Sequence, residues 1–295
     1  MSLGVLNNLN AIYAGNNLNN TNNSLSKTLQ QLSSGSRINS GADDAAGLSL
    51  VDGLQANQTA LTQSVTNATE GAGLLQVADG ALSQVTNLLN RAVTLATEAS
   101  NGTLNTSQDA AANQEYQSIL AEINNIGSTT TYNGNAVFTG TAVNIYTGDS
   151  TSTGASTDAL MIDTLTSAGL GDTAGAVSYA TNTISYSATA GQDLSTTDLT
   201  SAANAQTALT DLNAAITDVA AQDGYIGSQI NTLNAVSQVM STQQQNIAAA
   251  QNAVQATDYA TATSNLSKYE ILSQTGIAAL AQANSVQQEV TKLLQ

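Results

Sequence analysis

One apolar stripe constrains this sequence more than any other feature. From Leu209 to Ile247, positions separated by alternating steps of three and four are apolar in nine of twelve cases. This spacing keeps one face of an α-helix apolar and is typical of a coiled-coil-like helix. At about 1.5 Å per residue, a helix over residues 203–255 would be about 80 Å long. Gly224 and Gly227 weaken it in the middle, each by about 1 kcal/mol relative to alanine.

Two further stripes predict that this helix packs into a bundle. One runs from Leu75 to Ala96 with the same spacing, and Val51 to Val65 extends it upstream with a shift of phase. A third helix, at about residues 108–127, presents apolar residues on one side. Helices with one apolar face must bury those faces against one another. We therefore expect a mainly α fold of long, antiparallel, coiled-coil-like helices.

The middle of the chain, from about residue 128 to 200, lacks this periodicity. Asn133-Gly134 precedes the apolar run Ala136–Phe138, and Val143–Tyr146 alternates, so both segments indicate β-hairpins. Stretches rich in serine, threonine and glycine separate them and indicate surface loops. Their hydroxyl groups are either simply solvated or sites of O-linked glycosylation.

The two ends of the chain repeat the helical pattern with smaller residues. Each end carries an apolar stripe that a lone chain would bury poorly, and terminal segments of this kind are ordered when a partner docks them. The pattern predicts assembly between copies of the chain. The predicted assembly residues are Leu18, Leu25, Leu29, Leu32, Leu272, Ala279, Ala283, Val286, Val290 and Leu293.

Missing residue types exclude several functions. The chain has no histidine and no cysteine, so it offers no histidine base, no thiolate nucleophile and no zinc site of the usual ligands. We expect no enzymatic activity, no cofactor and no metal. A net charge of −16 argues against nucleic acid and anionic membranes as partners. The N-terminus does not resemble a secretory signal, so export would need another route.

A polar break, SSGSRINSGADDAAG, separates the first two helices at residues 33–47. Gly35 and Gly41 interrupt the helix, and Arg37 lies between them. Asp43 and Asp44 immediately precede the next helix, where carboxylates accept hydrogen bonds from unpaired backbone N–H groups. We interpret the segment as a capped joint rather than a catalytic pair, because no partner base is visible nearby.

Four segments together resemble one family. LSSGSRINSGADDAAGLSL is similar to the N-terminal hallmark of bacterial flagellin, and DYATATSNLSKYEILSQTGIAALAQANSVQQEVTKLL to its C-terminal segment. TYNGNAVF and NAQTALTDLNAAI resemble two internal motifs of the family. The resemblance covers roughly residues 1–145 and 195–295. It implies an N-terminal inner-tube helix (D0) and joint at 1–40, a rod domain with helices and β-hairpins (D1) at 41–257, and a C-terminal inner-tube helix at 258–295. The rod would include a short, variable, acidic stretch at about 140–200, with little or no outer domain (D2/D3).

The resemblance also implies a function. Flagellins are secreted through the flagellum's own export apparatus with an export chaperone, and they self-assemble under a cap into the extracellular filament that drives swimming. Cap and junction proteins are the implied partners besides the chain itself. A patch recognised by a vertebrate Toll-like receptor would fall on Arg91, Leu95 and Glu115, although Val93 stands where the family often has a second arginine.

Two departures from the family pattern affect the joint. Ala42 stands where the family commonly has a lysine, and NAVQAT precedes DYAT where relatives carry charged residues. Both changes remove charge, so we expect the joint to lack the salt bridges of its relatives. The acidic balance further predicts that carboxylates crowded in a filament have raised pKa values, so filaments hold better at low pH or high salt.

Three alternatives remain open from the sequence. A flagellin-like hook–filament junction protein shares both end motifs, but NAQTALTDLNAAI favours the filament subunit. A flagellin carrying an inserted protease would need a motif such as H-E-x-x-H, which a chain without histidine cannot supply. A coiled-coil adhesin would explain the helices and the acidity, but not the two complementary ends.

Overall fold

Long helices dominate the computed structural model, which describes residues 8–148, 157–170, 176–179, 182–185 and 193–293. The side chains of residues 176–179, 182–185 and 290–293 lie outside this description. The mainly α fold predicted from the sequence is confirmed. The helices are α1 (Leu9–Ser34), α2 (Ala45–Ser100), α3 (Thr106–Thr129), α4 (Ala202–Gln255) and α5 (Tyr259–Leu293).

Among the described residues between α3 and α4 there are three antiparallel strand pairs. They are β1 (Thr131–Tyr132) with β2 (Asn135–Ala136), β3 (Ala142–Tyr146) with β4 (Thr157–Met161), and β5 (Ala176–Tyr179) with β6 (Asn182–Ser185). The Asn133-Gly134 hairpin is confirmed. Both residues have positive φ, 50° and 79°, as a two-residue hairpin turn that matches the twist of its strands requires.

The chain divides into two compact units. The terminal unit comprises Met1–Ala56 and Gln245–Gln295, and the bundle unit comprises Asn57–Gln244. Each boundary falls within a helix, one in α2 and the other in α4.

The core of the bundle unit is built on the stripe of α2. Every member of the predicted stripe is 0% exposed, which confirms that this face of α2 is buried. From α3, Ile119, Leu120 and Ile123 are also buried, and Ile126 is half-buried, so the apolar side predicted for this helix faces the core. The stripe members are Leu75, Ala78, Leu82, Val85, Leu89, Ala92 and Ala96.

Helix α4 buries a face that differs in part from the predicted stripe. One column is confirmed at intervals of seven: Leu212, Val219, Ile226, Leu233 and Met240 are all buried. The second column lies one residue earlier than expected. Alanine and glutamine occupy this second column, and alanine lets neighbouring helices approach closely. The prediction gave more weight to large apolar residues, so it selected the positions next to these. The buried residues are Ala208, Ala215 and Gln222, in place of half-buried Leu209 and Ile216 and exposed Asp223.

Polar side chains of α3 hold the segments that connect β4 to α4. Asn124 Nδ2 donates to Ser167 Oγ (2.9 Å), and Ser167 N donates to Asn124 Oδ1 (2.7 Å). Farther along α3, Gln117 Nε2 donates to Thr197 O (2.9 Å). These bonds satisfy loop backbone groups that would otherwise be buried without partners. Four apolar side chains of the connections are buried in the core: Leu165, Leu170, Leu194 and Leu199.

Candidate assembly surface

The first and last helices pair within the terminal unit. Leu18 packs over Gly276, where an added β-carbon would lie 3.2 Å from Leu18 Cδ1. Asn8 Nδ2 donates to Ala283 O (2.9 Å), and Ser273 Oγ donates to Asn22 Oδ1 (3.2 Å). Since position numbers rise on α1 as they fall on α5, the two helices run antiparallel.

The predicted assembly residues divide between the covered and the open faces of this pair. Leu18, Leu25, Leu32 and Ala283 are half-buried. Leu29 is 48% exposed, Leu272 and Val286 are each 42% exposed, and Ala279 is also exposed. The side chains of Val290 and Leu293 lie outside the described residues.

The face of α5 that meets α1 overlaps the predicted seam only in part, for example at half-buried Ala283, whose carbonyl accepts from Asn8. It carries buried Ala262 and half-buried Tyr269, Ser273 and Gly276. Periodicity locates an apolar stripe on a helix but does not say whether its own chain or another molecule covers that stripe. Much of the predicted α5 seam therefore remains open in the single chain.

A second group of apolar side chains, absent from the prediction, is more exposed than the first. On α1, Leu9 lies about 180° from Leu18 around the helix axis and Ile12 about 120°. The signal that could have found them is the spacing Leu9, Ile12, Tyr13 on the face opposite the leucine stripe. The members that are more than half exposed are Leu9, Ile12, Tyr13, Tyr259, Ile271 and Ile277.

An open groove of about 540 Å³ runs between α1 and α5. Ala14, Asn17 and Thr21 line one side of the groove, and Leu272 and Ala279 line the other. None of the lining residues is charged. The groove can therefore accept an uncharged helix face without desolvating an ion, which is the costly step in burying polar surface.

The joint between α1 and α2 uses its two aspartates differently. Asp44 Oδ1 accepts a hydrogen bond from Gly47 N (2.9 Å) and caps α2. Asp43 does not cap the helix, contrary to expectation. Its carboxylate turns back into the loop, accepts from the backbone N–H groups of Asn39 and Ser40 (both 3.1 Å), and pairs with Lys27 Nζ (2.8 Å). The hydrogen bond from Lys27 and that from Asn39 N–H lower the pKa of Asp43 to about 2.

The Lys27–Asp43 ion pair also corrects the expectation that the joint lacks salt bridges. The lysine comes from α1 and not from the joint sequence, so a comparison of joint motifs could not find it. Lys27 on α1 thus supplies the positive charge that Ala42 does not provide.

Arg37 fastens the joint to the segment that links α4 to α5. Arg37 N donates to Gln255 O (2.7 Å), and its Nη2 donates to Val254 O (2.8 Å). These carbonyls end α4, where a cation also favours the helix dipole. Thr257 N returns a bond to Gly35 O (3.0 Å). Gly35 has φ of 69°, and the Tyr259 hydroxyl lies 2.8 Å from where a β-carbon would be, so no other residue fits there without strain.

The candidate receptor patch is only partly presented at the surface. Arg91 and Glu115 join α2 to α3 through an ion pair of 2.7 Å, and both side chains are about half exposed. Leu95 is buried, with 4% exposure, so it belongs to the core of the bundle unit. The structure therefore brings two of the three predicted residues together on the surface.

The described part of the chain lacks two other kinds of site. No cluster of three or more acidic side chains suited to a metal ion occurs among these residues. None of their helices is long and apolar enough to cross a membrane.

Paired terminal helices and a helical bundle with short hairpins define a helical structural protein whose first and last segments fold together. Family models agree: the bacterial flagellin N-terminal helical region matches residues 5–143, and the bacterial flagellin C-terminal helical region matches residues 209–294.

Relatives match over almost the whole chain. Flagellin of Listeria monocytogenes is 31% identical, over 92% of this chain and 93% of the relative. Flagellin of Halalkalibacterium halodurans is 32% identical, over 97% and 98%. The flagellar filament 33 kDa core protein of Treponema phagedenis is 30% identical, over 97% and 98%. The chain belongs to the bacterial flagellin family.

Proposed function

We propose that this chain is a filament subunit that polymerises through its terminal unit and serves swimming motility outside the cell. The observation that carries the proposal is the open apolar surface of α1 and α5. Six of their large apolar side chains are more than half exposed although the two helices already pair with each other. Covering that surface in a polymer gains about 25 cal/mol per Å² of apolar area.

Charge is distributed in a way that favours contact through the terminal unit. Four of the five basic residues lie in this unit, which has six acidic residues and a net charge of −2. The bundle unit has one basic and fifteen acidic residues and a net charge of −14. Copies can therefore bring terminal units together with little electrostatic repulsion.

The positions of the groove and the apolar side chains favour heterologous, head-to-tail contacts between copies. Leu9 on α1 and Ile271 on α5 lie about 180° and 140° around their helices from Leu18 and Gly276, the residues where the two helices meet. A groove on one face that receives apolar side chains from a different face makes a heterologous contact. Such contacts generate rings or open helical filaments rather than closed two-fold dimers.

Matched isoleucine and valine substitutions test the proposal. Ile277 on α5 and Val239 on α4 are each 57% exposed, but they belong to different units. Ile277→Asn should reduce polymer mass in a sedimentation assay at least tenfold, whereas Val239→Asn should change it less than twofold. Circular dichroism of the monomers controls for folding. Equal effects of the two substitutions would refute assembly through the terminal unit.

The strongly acidic bundle unit adds a salt dependence to this proposal. Raising ionic strength from about 0.01 M to 0.15 M shortens the screening length from about 30 Å to about 8 Å. Repulsion between bundle units of neighbouring copies should weaken accordingly, so filaments should melt at higher temperature in salt. A melting temperature that does not respond to salt or to acidification would contradict this part of the proposal.

Family membership supports the remaining partners. As a flagellin, the chain would be exported by the flagellar secretion apparatus with its chaperone, inserted beneath the cap, and joined to the hook through junction proteins. Matches over 97% of the chain to a filament core protein favour the filament subunit over a junction protein. In sheared flagella a filament subunit is the most abundant protein, and a minor band at this mass would favour the junction protein.

Recognition by a vertebrate Toll-like receptor is proposed for the surface around Arg91 and Glu115. The Arg91 guanidinium is about half exposed, so a receptor could reach it without unfolding the bundle unit. Arg91→Ala should weaken a cell-reporter response, and Lys268→Ala serves as a control that removes an exposed cation in the other unit. A reporter response that Arg91→Ala leaves unchanged would exclude this patch as the receptor site.

A further inference from the structure

Two asparagine–glycine pairs occur in this chain, and they lie in different local structures. Asn133-Gly134 forms the two-residue turn between β1 and β2. Asn101-Gly102 lies in the connection between α2, which ends at Ser100, and α3. Asparagine is chemically labile, and a glycine gives the least steric hindrance to an attack on the side chain before it. The two pairs therefore place one reactive sequence in two structural contexts.

The reaction open to such a pair is an intramolecular cyclisation. The backbone nitrogen of the glycine loses its proton to hydroxide and attacks the asparagine Cγ, so that a new nitrogen–carbon bond forms. The bond from Cγ to Nδ2 then breaks, and Nδ2 takes up one proton and leaves as ammonia. Water opens the resulting five-membered imide at either carbonyl, which gives aspartate or isoaspartate. No electrons are transferred, and water is the only co-reactant.

Backbone conformation decides which of the two pairs can cyclise. The imide ring requires the glycine nitrogen and the asparagine Cγ to lie on the same side of the asparagine Cα–C bond, and neither the helical nor the left-handed region has this ψ. Asn133 is in the left-handed region, with φ of 50°, and the pairing of Tyr132 with Asn135 holds the turn closed. The hairpin must therefore open before Asn133 can react.

No comparable restraint acts on Asn101. Its N–H donates to Glu98 O (3.3 Å), a bond that precedes its side chain and does not fix the ψ that follows. The N–H of Gly102 takes part in none of the hydrogen bonds found among the described residues. Both residues of the pair are exposed. The attacking nitrogen is thus accessible to base, and the bond that must rotate lies outside helix and strand.

A hydroxyl group lies beside the nitrogen that leaves. Asn101 Nδ2 donates to Thr103 Oγ1 (3.2 Å). Once the glycine nitrogen has added to Cγ, Nδ2 becomes an amine with a free lone pair, and the direction of this hydrogen bond can reverse because a hydroxyl both donates and accepts. Thr103 can then donate the proton that ammonia needs and recover one from water. The residue at the equivalent position after Asn133 is Asn135, which has no hydroxyl.

We propose that Asn101-Gly102 is a site of spontaneous modification, at which the chain converts its own asparagine to aspartate or isoaspartate with Thr103 as the proton donor. The site belongs to the bundle unit, and its chemistry does not depend on the proposed assembly through the terminal unit. Each copy of the chain therefore undergoes a slow change in one direction only.

The product differs from the native connection in charge and in length. The new carboxylate lies in the same turn as Glu98, at the C-terminal end of α2, where negative charge opposes the helix dipole. Isoaspartate also adds a methylene group to the main chain next to Gly102, where a β-carbon would lie 4.0 Å from Ala202 Cβ at the start of α4. Conversion therefore loosens the connection between α2 and α3.

Peptide mass spectrometry of the full-length chain, incubated at mildly alkaline pH, measures conversion at both pairs. Digestion after glutamate releases residues 99–115, and digestion after aromatic residues releases residues 133–138. In the folded chain Asn101 should convert at least about tenfold faster than Asn133, because only the hairpin must first open. In concentrated urea, which removes the hairpin, the two rates should agree within about threefold. A sample taken at time zero corrects for conversion during digestion.

Three exposed substitutions separate the roles of the residues. Asn101→Gln would need a larger ring and should abolish conversion at this position. Thr103→Val keeps the shape of the side chain without its hydroxyl and should slow conversion of Asn101 about threefold, since water can replace the donor in part. Thr106→Val removes a nearby exposed hydroxyl that is not bonded to Asn101 and should leave the rate unchanged.

Two outcomes would overturn the proposal. Equal rates at Asn101 and Asn133 in the folded chain would show that the connection between α2 and α3 does not favour the reaction. An unchanged rate in Thr103→Val, or an equal loss in Thr106→Val, would show that Thr103 is not the proton donor.

Discussion

The terminal unit and the bundle unit are both helical, yet they bury their apolar residues very differently. Of the fourteen large apolar side chains that are exposed among the described residues, ten lie in the terminal unit, although it is the smaller unit. The largest fully buried side chains, such as Tyr116, Leu82 and Ile226, all lie in the bundle unit. One unit completes its own core, and the other leaves an apolar surface open.

This difference follows from how many neighbours each helix has. In the bundle unit α2, α3, α4 and the hairpins cover one another, so a stripe on α2 can be sealed to 0% exposure. In the terminal unit α1 is paired with α5, and one partner covers only one face of a helix. A pair of helices in water therefore keeps part of its apolar surface exposed. Exposed apolar surface of this kind is typical of an interaction site, and we propose that further copies of the chain cover it.

Deleting residues 272–295 should have the largest effect, because it removes more than half of α5 and most of one wall of the groove. We expect complete loss of filaments by electron microscopy. The bundle unit should keep its cooperative thermal transition, since none of its core residues lies in the deleted segment. Normal filaments from the truncated chain would contradict the division of roles between the units.

Core truncation should distinguish the units by several kcal/mol. Leu82→Ala removes a fully buried side chain and should lower the free energy of unfolding of the bundle unit by about 2–5 kcal/mol. Leu29→Ala removes a leucine that is 48% exposed and should change monomer stability by less than about 0.5 kcal/mol. Urea titrations of the two monomeric variants measure the free energy of unfolding. Similar losses in the two variants would show that the terminal unit has a core of its own.

Replacing Gln222 should have a smaller effect on stability, and it should stabilise the bundle unit instead of destabilising it. Gln222 is 4% exposed, and its Nε2 has no hydrogen-bond partner among the described residues. Gln222→Met replaces an unsatisfied donor by an apolar side chain of similar length and should stabilise the bundle unit by about 1 kcal/mol. Gln206→Met, at an exposed position of the same helix, is the matched control and should be neutral. Destabilisation by Gln222→Met in urea titrations would mean that the amide makes a necessary contact.

The ion pair in the joint between α1 and α2 should have the smallest effect on stability, and this effect should be detectable only at acidic pH. The lowered pKa of Asp43 means that its ion pair with Lys27 stabilises the joint above about pH 4 and is lost as pH falls through about 2. Protection of the Asn39 and Ser40 amides should decrease over that range in the native chain. In Asp43→Asn these amides should show low protection at every pH. In Asp44→Asn their protection should still decrease as pH falls. A pH-independent native joint would rule out the ion pair as its support.

Much of this fold could be predicted from the sequence, because helix and strand periods are properties of single segments. The stripe on α2 and the Asn133-Gly134 hairpin were predicted in this way and are confirmed. The second column of α4 was misplaced because Ala208 and Ala215 contribute little to an apolar pattern yet permit close packing. Contacts between distant segments were not predicted: Lys27 pairs with Asp43, and Arg37 bonds to the end of α4. A period along one helix carries no information about which distant residue faces it.

The uneven placement of basic residues has a further consequence for durability. Proteases of the trypsin type cut after lysine or arginine, and none occurs between Arg91 and Lys268. Arg91 itself lies within α2 and is engaged by Glu115, so the peptide bond that follows it is held in a helix. Proteases of this type would therefore find no bond to cleave anywhere from residue 92 to residue 267.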